Sequence, residues 1–262
     1  MTGLNNLGFY GKIPSNGDFV SRHLPRTFID PWDQWLQQSI IVSRQQLGEN
    51  WLDSYLIGPI WRFALSAGVC GDNAWVGLVM PSVDSVGRYF PLTLAVPVRD
   101  SRKLLYIADN EESWFTQAED IALSALDINN RLDTFNQDIT RLAVPDHFSD
   151  SSATTPGEEP EAELTYSDFW RFAKTESEPI SSNLNPLMDQ FLRQRFPEFT
   201  VWWSNGSEHV DASILICNKL PPTQGFSALL TGDWHQWGWQ NTFCNKPETD
   251  SLDTEHSVDA SL

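Results

Sequence analysis

NAWVGLVMPSVDSVGRYFPLTLAVPV, running from Asn73 to Val98, decides the fold. Its first part, NAWVGLVMPS (Asn73 to Ser82), and its last, FPLTLAVPV (Phe90 to Val98), are short apolar runs punctuated by Gly and Pro. Runs of that length and composition read as buried strands. The link SVDSVGR is short and turn-like, so the two strands are expected side by side. Working outward, Asp30-Pro31 followed by Trp32, Trp35, Leu36, Ile40 and Leu47 reads as an N-cap, a proline at the first helical position and an apolar stripe at 3.6 spacing. This predicts a helix over residues 31–47. A second helix is predicted over Ser113 to Asp127, with Ser113 as its cap and Trp114, Ala118, Ile121, Ala122 and Ala125 on one side. SDFWRFAK (Ser167 to Lys174) resembles another helix start. FTVWWSN (Phe199 to Asn205) and ASILICNKLPP (Ala212 to Pro222) read as two strands joined through a turn at Asn205-Gly206, and GFSALLTG as a last short helix. Strands interleaved with helices in this order define the α/β class: a mixed β-sheet with helices on both faces, an α/β/α sandwich. WRF occurs at Trp61 to Phe63 and again at Trp170 to Phe172, too short a match to make a repeat.

At 262 residues with 40% hydrophobic content, the chain is long enough to bury a sizeable core without staples. Four regions are expected: 1–145 as the N-terminal part, 146–165 as an acidic linker, 166–240 completing the fold, and 241–262 as a disordered acidic tail. Asp146 to Glu178 holds nine acidic and two basic residues. SDSSATTPGEEPEAE (Ser149 to Glu163) within it has too little apolar surface to offset the entropy of ordering. Cys70, Cys217 and Cys244 are widely spaced and form no C-x-x-C pair, which fits a reducing compartment and reduced, packed thiols. The N-terminus MTGLNNLGFYG has neither a basic start nor an apolar run, and no window matches a membrane span. A cytoplasmic protein is expected, without direct membrane insertion. With 35 acidic against 17 basic residues, the net charge of −18 repels nucleic acid and anionic lipid.

FYGKIPSNGDFVSRHLP (Phe9 to Pro25) gathers loop formers and charges near the start. It is not a P-loop, because Gly8, Gly11 and Lys12 are followed by Ile13 where a magnesium-binding Ser or Thr is needed. No G-x-G-x-x-G or G-x-S-x-G occurs. Ser15, Asp18 and His23 lie close in sequence, but a triad is a matter of geometry, and Ser15 and Asp18 suit side-chain to backbone bonds in a turn. The five histidines show no ligand spacing, so neither a metal nor another cofactor is expected. Asp18 and Asp84 each sit in a loop, where they cap turns or share a proton or a metal. Arg88, next to Tyr89, is suited to stack and bond bidentately, toward Asp84, Asp18 or a partner's carboxylate. Twelve tryptophans are many. Trp202 and Trp203, adjacent on a strand, must face opposite sides. GDWHQWGWQ (Gly232 to Gln240) is the place for partly exposed aromatics, the side chains that anchor interfaces.

GFYGKIPSNGDFVSRHLP, WDQWLQQSI, PIWRFALSAGVCG, WVGLVMPSVDSVGRYFPLT and finally VWWSNG followed by LPPTQGFSALLTGDW together resemble the type VI secretion-associated TagF/ImpM family, in order from about Gly8 to Trp234. The resemblance implies a cytoplasmic accessory protein of a bacterial contact-dependent secretion machine. It further implies a post-translational repressor of secretion, in some bacteria engaging a forkhead-associated scaffold, without nucleic acid. It supplies no catalytic residues. Its motif positions here are Gly11, Lys12, Pro14, Gly17, Asp18, Phe19, Arg22, Pro81, Ser82, Asp84, Gly87, Arg88 and Pro91. The glycines and prolines among them shape two loops, with Pro14, Phe19, Pro81, Ser82 and Pro91 as structural positions. Lys12, Asp18, Arg22, Asp84 and Arg88 remain as the polar surface that a protein partner would meet. Two arrangements are open: a charged recognition surface, or an internal Asp/Arg network that fixes the loops. Alternative functions are a structural subunit of the apparatus and a phosphate-ester hydrolase using Asp18, Asp84 and Arg88.

Overall fold

The computed structural model describes residues 7–149 and 180–240. Seven strands form one sheet: β1 (Gly8–Gly11), β2 (Val20–Arg22), β3 (Trp61–Leu65), β4 (Ala74–Met80), β5 (Leu92–Val98), β6 (Phe199–Ser204) and β7 (Ser213–Asn218). Their spatial order is β2-β1-β5-β4-β3-β6-β7. The strands expected on either side of the SVDSVGR link are β4 and β5, paired along their whole lengths from Ala74↔Val98 to Met80↔Leu92. The α/β class with helices on both faces holds. Every pairing between the described strands is antiparallel, where the sequence alone allows a mixed sheet. For four of the six pairings the reason is local: β1–β2, β3–β4, β4–β5 and β6–β7 are neighbours in sequence as well as in space, and short links cannot make parallel crossovers; β1–β5 and β3–β6 join strands distant in the chain.

One face carries α1 (Arg26–Leu47), α2 (Trp51–Leu56) and α8 (Phe226–Thr231). Phe28, Trp32, Trp35 and Leu36 of α1 pack there on Phe63, Trp75 and Trp202 of the sheet. Three indole N–H groups are satisfied at this layer boundary: Trp32 donates to Thr93 Oγ1 at 2.9 Å, Trp35 to the Pro221 carbonyl at 2.8 Å and Trp61 to the Leu229 carbonyl at 3.1 Å. The other face carries α3 (Leu104–Asn110), α4 (Glu112–Ser124), α5 (Leu132–Arg141) and α7 (Ile180–Arg195). Ile107, Phe115, Phe135 and Leu192 pack there on Leu78, Leu94 and Val96. Arg62, only 2% exposed, crosses from β3 to this layer and binds Glu112 and Glu119 of α4, with Nε–Oε1 of Glu119 at 2.6 Å.

Helix α1 differs from its expected span. It begins at Arg26, with Pro25 at the cap position, and Pro31 lies inside it. Proline at the sixth helical residue forfeits one hydrogen bond, but the earlier start buries Phe28 and Ile29, and tertiary packing overrides local propensity. Helix α4 likewise starts at Glu112, so Ser113 stands in its first turn and not at its cap. Trp202 is fully buried on the α1 face, whereas Trp203 is half-buried against Phe115 on the other, as strand alternation requires. Trp234, Trp237 and Trp239 are partly exposed. Within the segment expected to be linker, Asp146–Ser149 is one helical turn, α6, and Phe148 is buried in the core. The rest of that linker, the SDFWRFAK helix start, the second WRF, the acidic tail and Cys244 lie outside the described residues.

Candidate functional site

The sheet order brings the two motif loops together. β1 and β5 are neighbours with Tyr10 opposite Thr93, so the end of β1 and the start of β5 fall at the same end of the sheet. The loop leaving β1 (residues 12–19) therefore meets the loop entering β5 (residues 81–91), with contacts such as Ser82 to Lys12 and Lys12 to Asp84 spanning 70 and 72 positions. Gly11 makes the close approach possible. It takes φ +140°, and a Cβ there would stand 2.1 Å from the Pro91 carbonyl oxygen.

Asp84 is the centre of the contact. Its side chain is buried, Oδ2 accepts from Lys12 Nζ at 2.9 Å and from Arg88 Nε at 2.7 Å, and Oδ1 accepts from the backbone N–H of Val86 at 3.0 Å and of Arg88 at 2.8 Å. Gly87, at φ +84°, lets the chain turn tightly enough for Arg88 to come back onto the aspartate. Burial works against the charge of Asp84, but the bonds from Lys12, Arg88 and Val86 outweigh it and hold the carboxyl well below the usual range. Lys12 is buried beside it and its ammonium lies 5.0 Å from the Phe19 ring centroid. Phe19 stacks on Tyr10 at 5.7 Å and meets Phe90 edge-on at 4.8 Å. Ser82 Oγ donates to the Lys12 carbonyl at 2.7 Å, and Tyr55 donates to the Ser82 carbonyl at 2.9 Å. The Ser85 N–H donates to the Asn16 carbonyl at 3.0 Å.

Of the five polar residues singled out from sequence, the structure joins Lys12, Asp84 and Arg88 and leaves Asp18 and Arg22 apart. Asp18 accepts from the next backbone N–H, that of Phe19, at 2.8 Å. Arg22 stands exposed on the edge strand β2 and donates to the Ser21 carbonyl. Arg88 is both anchored and available: it donates to Asp84 and to the Gly17 carbonyl, yet its side chain is 58% exposed. Beside it lies an open groove of about 600 Å³, lined by Arg44, Glu49, Trp51, Leu52, Arg88 and Tyr89. The Arg44 guanidinium sits 4.1 Å from the Trp51 ring centroid. Sequence reading passed over Arg44, Trp51 and Tyr55. Only the position of Arg44 as the single cation in the last turn of α1 set it apart.

Among the described residues no group of three His, Cys, Asp or Glu is placed to hold a metal ion, and no helix is long and apolar enough to cross a membrane.

An α/β/α protein whose two motif loops close around one buried aspartate is the class that fold and site define. Residues 8–142 match the family described as TagF N-terminal domain, Type VI secretion system-associated, and the chain belongs to that family. It is similar to PA0076 from Pseudomonas aeruginosa PAO1, solved by crystallography, with 35% sequence identity and a TM-score of 0.69 over 87% of this chain and 94% of that one. No curated protein matches it. The family match spans both motif loops and β1 to β5.

Proposed function

We propose that this type VI secretion-associated protein is a non-enzymatic, cytoplasmic regulator that binds another component of the apparatus and restrains secretion after that component is made. A forkhead-associated scaffold is the first candidate partner. The observation that carries the reading is Arg88, fixed in direction by Asp84 and Gly17 yet presented to solvent where two family-motif loops meet. A side chain ordered in advance loses little entropy on binding. All four donors around Asp84 are satisfied within the loops, so its carboxylate is engaged in holding them and is not poised to move a proton.

The test is affinity capture from the host's own lysate, comparing wild type with Arg88→Gln after both are shown to melt cooperatively. Enrichment of a secretion component with wild type, lost with the variant, is the expected result. Capture of no secretion component, or capture indifferent to Arg88, overturns it.

A further inference from the structure

We propose that the groove between Arg44 and Arg88 is a binding site for one carboxylate on an extended segment of a partner protein, with an apolar neighbour of that acid seated against Leu52 and Tyr89. The proposal rests on the reading that the protein works by binding another protein, and it assigns that act to a place and a chemistry. Both guanidiniums are positioned before anything arrives. Arg44 lies over the Trp51 ring, and Trp51 is itself held by its N–H bond to Ser43 Oγ at 2.9 Å. Arg88 is held by Asp84 and Gly17 through Nε and Nη2, which leaves Nη1 for a ligand. Among the described residues Arg44 makes no ion pair. Planar guanidiniums of this kind suit a carboxylate fork, and one stacked on an aromatic keeps its donors free at the edge.

Charge decides the kind of acid. The chain carries −18 overall and repels polyanions. The groove itself is lined by Arg44, Arg88 and Glu49, and behind Arg88 the buried Asp84 is shared with Lys12, so these five groups together leave one positive charge unbalanced. A single carboxylate neutralises it, whereas a dianionic phosphate would leave an excess negative charge beside Glu49. The apolar surface is offered by Leu52 and Tyr89, both part-exposed in the groove, with Tyr89 held edge-on against the buried Trp51 at 6.1 Å.

The experiment is an NMR titration of the isotope-labelled full chain with three blocked peptides in a Gly/Ser frame. One has a glutamate between two leucines, one a glutamine there, and one a phosphoserine. The expected result is a response to the glutamate peptide localised to the groove, with Kd at least about tenfold weaker for the glutamine peptide and for the Arg44→Gln protein, the scale of losing a charge-assisted hydrogen bond. Arg44→Gln removes an exposed side chain and keeps the helix. Equal binding of glutamate and glutamine peptides, no binding of the glutamate peptide, or indifference to Arg44→Gln overturns the proposal, as does tighter binding of the phosphoserine peptide. The wider functional reading fails separately: lysate capture that persists with Arg44→Gln sinks the groove alone, and groove binding without capture of a secretion component sinks the function alone.

Discussion

Lys12 and Arg88 bind the same oxygen of Asp84 but do not contribute alike. Lys12 is buried and Arg88 is largely exposed. An exposed ion pair is screened and adds little, whereas a buried charge stripped of its partner is costly. Lys12→Met is therefore expected to lower Tm clearly more than Arg88→Gln, as read by thermal melting. The reverse order would mean that Asp84 is solvated and that the loops are not fixed from within. The pH dependence has a definite sign. The folded-state pKa of Asp84 is depressed below its unfolded value of about 4. Its contribution is thus fully present above that unfolded value and is lost as pH falls through the folded one. Urea titrations at pH 7, 4 and 3 should show Asp84→Asn less stable than wild type at pH 7, with the gap narrowing as pH falls. A gap that widens in acid contradicts the network. From sequence, the loops and their charges were legible because Gly, Pro and Asp carry local turn chemistry. The choice of Lys12 and Arg88 over Asp18 and Arg22 as partners of Asp84 was not, because it depends on which strand ends lie side by side.

At the scale of elements, β6 offers an internal comparison. Trp202 lies fully buried among Trp32, Trp35 and Phe63, with ring centroids 5.4 to 5.8 Å away. Its neighbour Trp203 is half-buried on the opposite face. Trp202→Ala is expected to cost about 3–5 kcal/mol in denaturant unfolding and Trp203→Ala clearly less. Equal costs would show that the two faces are equally packed, contrary to the structure. Gly11→Ala is expected to destabilise as well, since its Cβ has no room against Pro91 and its φ is unfavourable for alanine. Strand alternation made the opposed tryptophans readable in advance, and the β4 and β5 runs declared themselves by composition. The start of α1 did not, because Asp30-Pro31 imitates a helix beginning and only burial of Phe28 and Ile29 extends the helix past it.

Across the whole molecule, two thiols report on integrity. Burial pushes Cys70 and Cys217 up to about 12, and the thiolate is the reactive form. Neither is expected to react with an alkylating reagent at pH 8 until the sheet opens, so mass spectrometry of labelled peptides should follow global unfolding for both together. Early labelling of one alone would reveal a separately opening unit. Composition indicated the size of the core at this scale, and the order of strand and helix patterns indicated the α/β class. Strand order stayed hidden, because β3 pairs with β6 across more than 130 residues and no local signal encodes that. That pairing also sets a timetable for biosynthesis. The five strands of the N-terminal part leave the ribosome first, with β3 waiting for β6 along one side. At 5–20 residues per second, the stretch from the end of α5 to the end of β7 takes roughly 4–15 s to synthesise. For that interval the nascent chain presents an unpaired β3 edge, open to pairing with any other strand until its own C-terminal hairpin arrives to close the sheet.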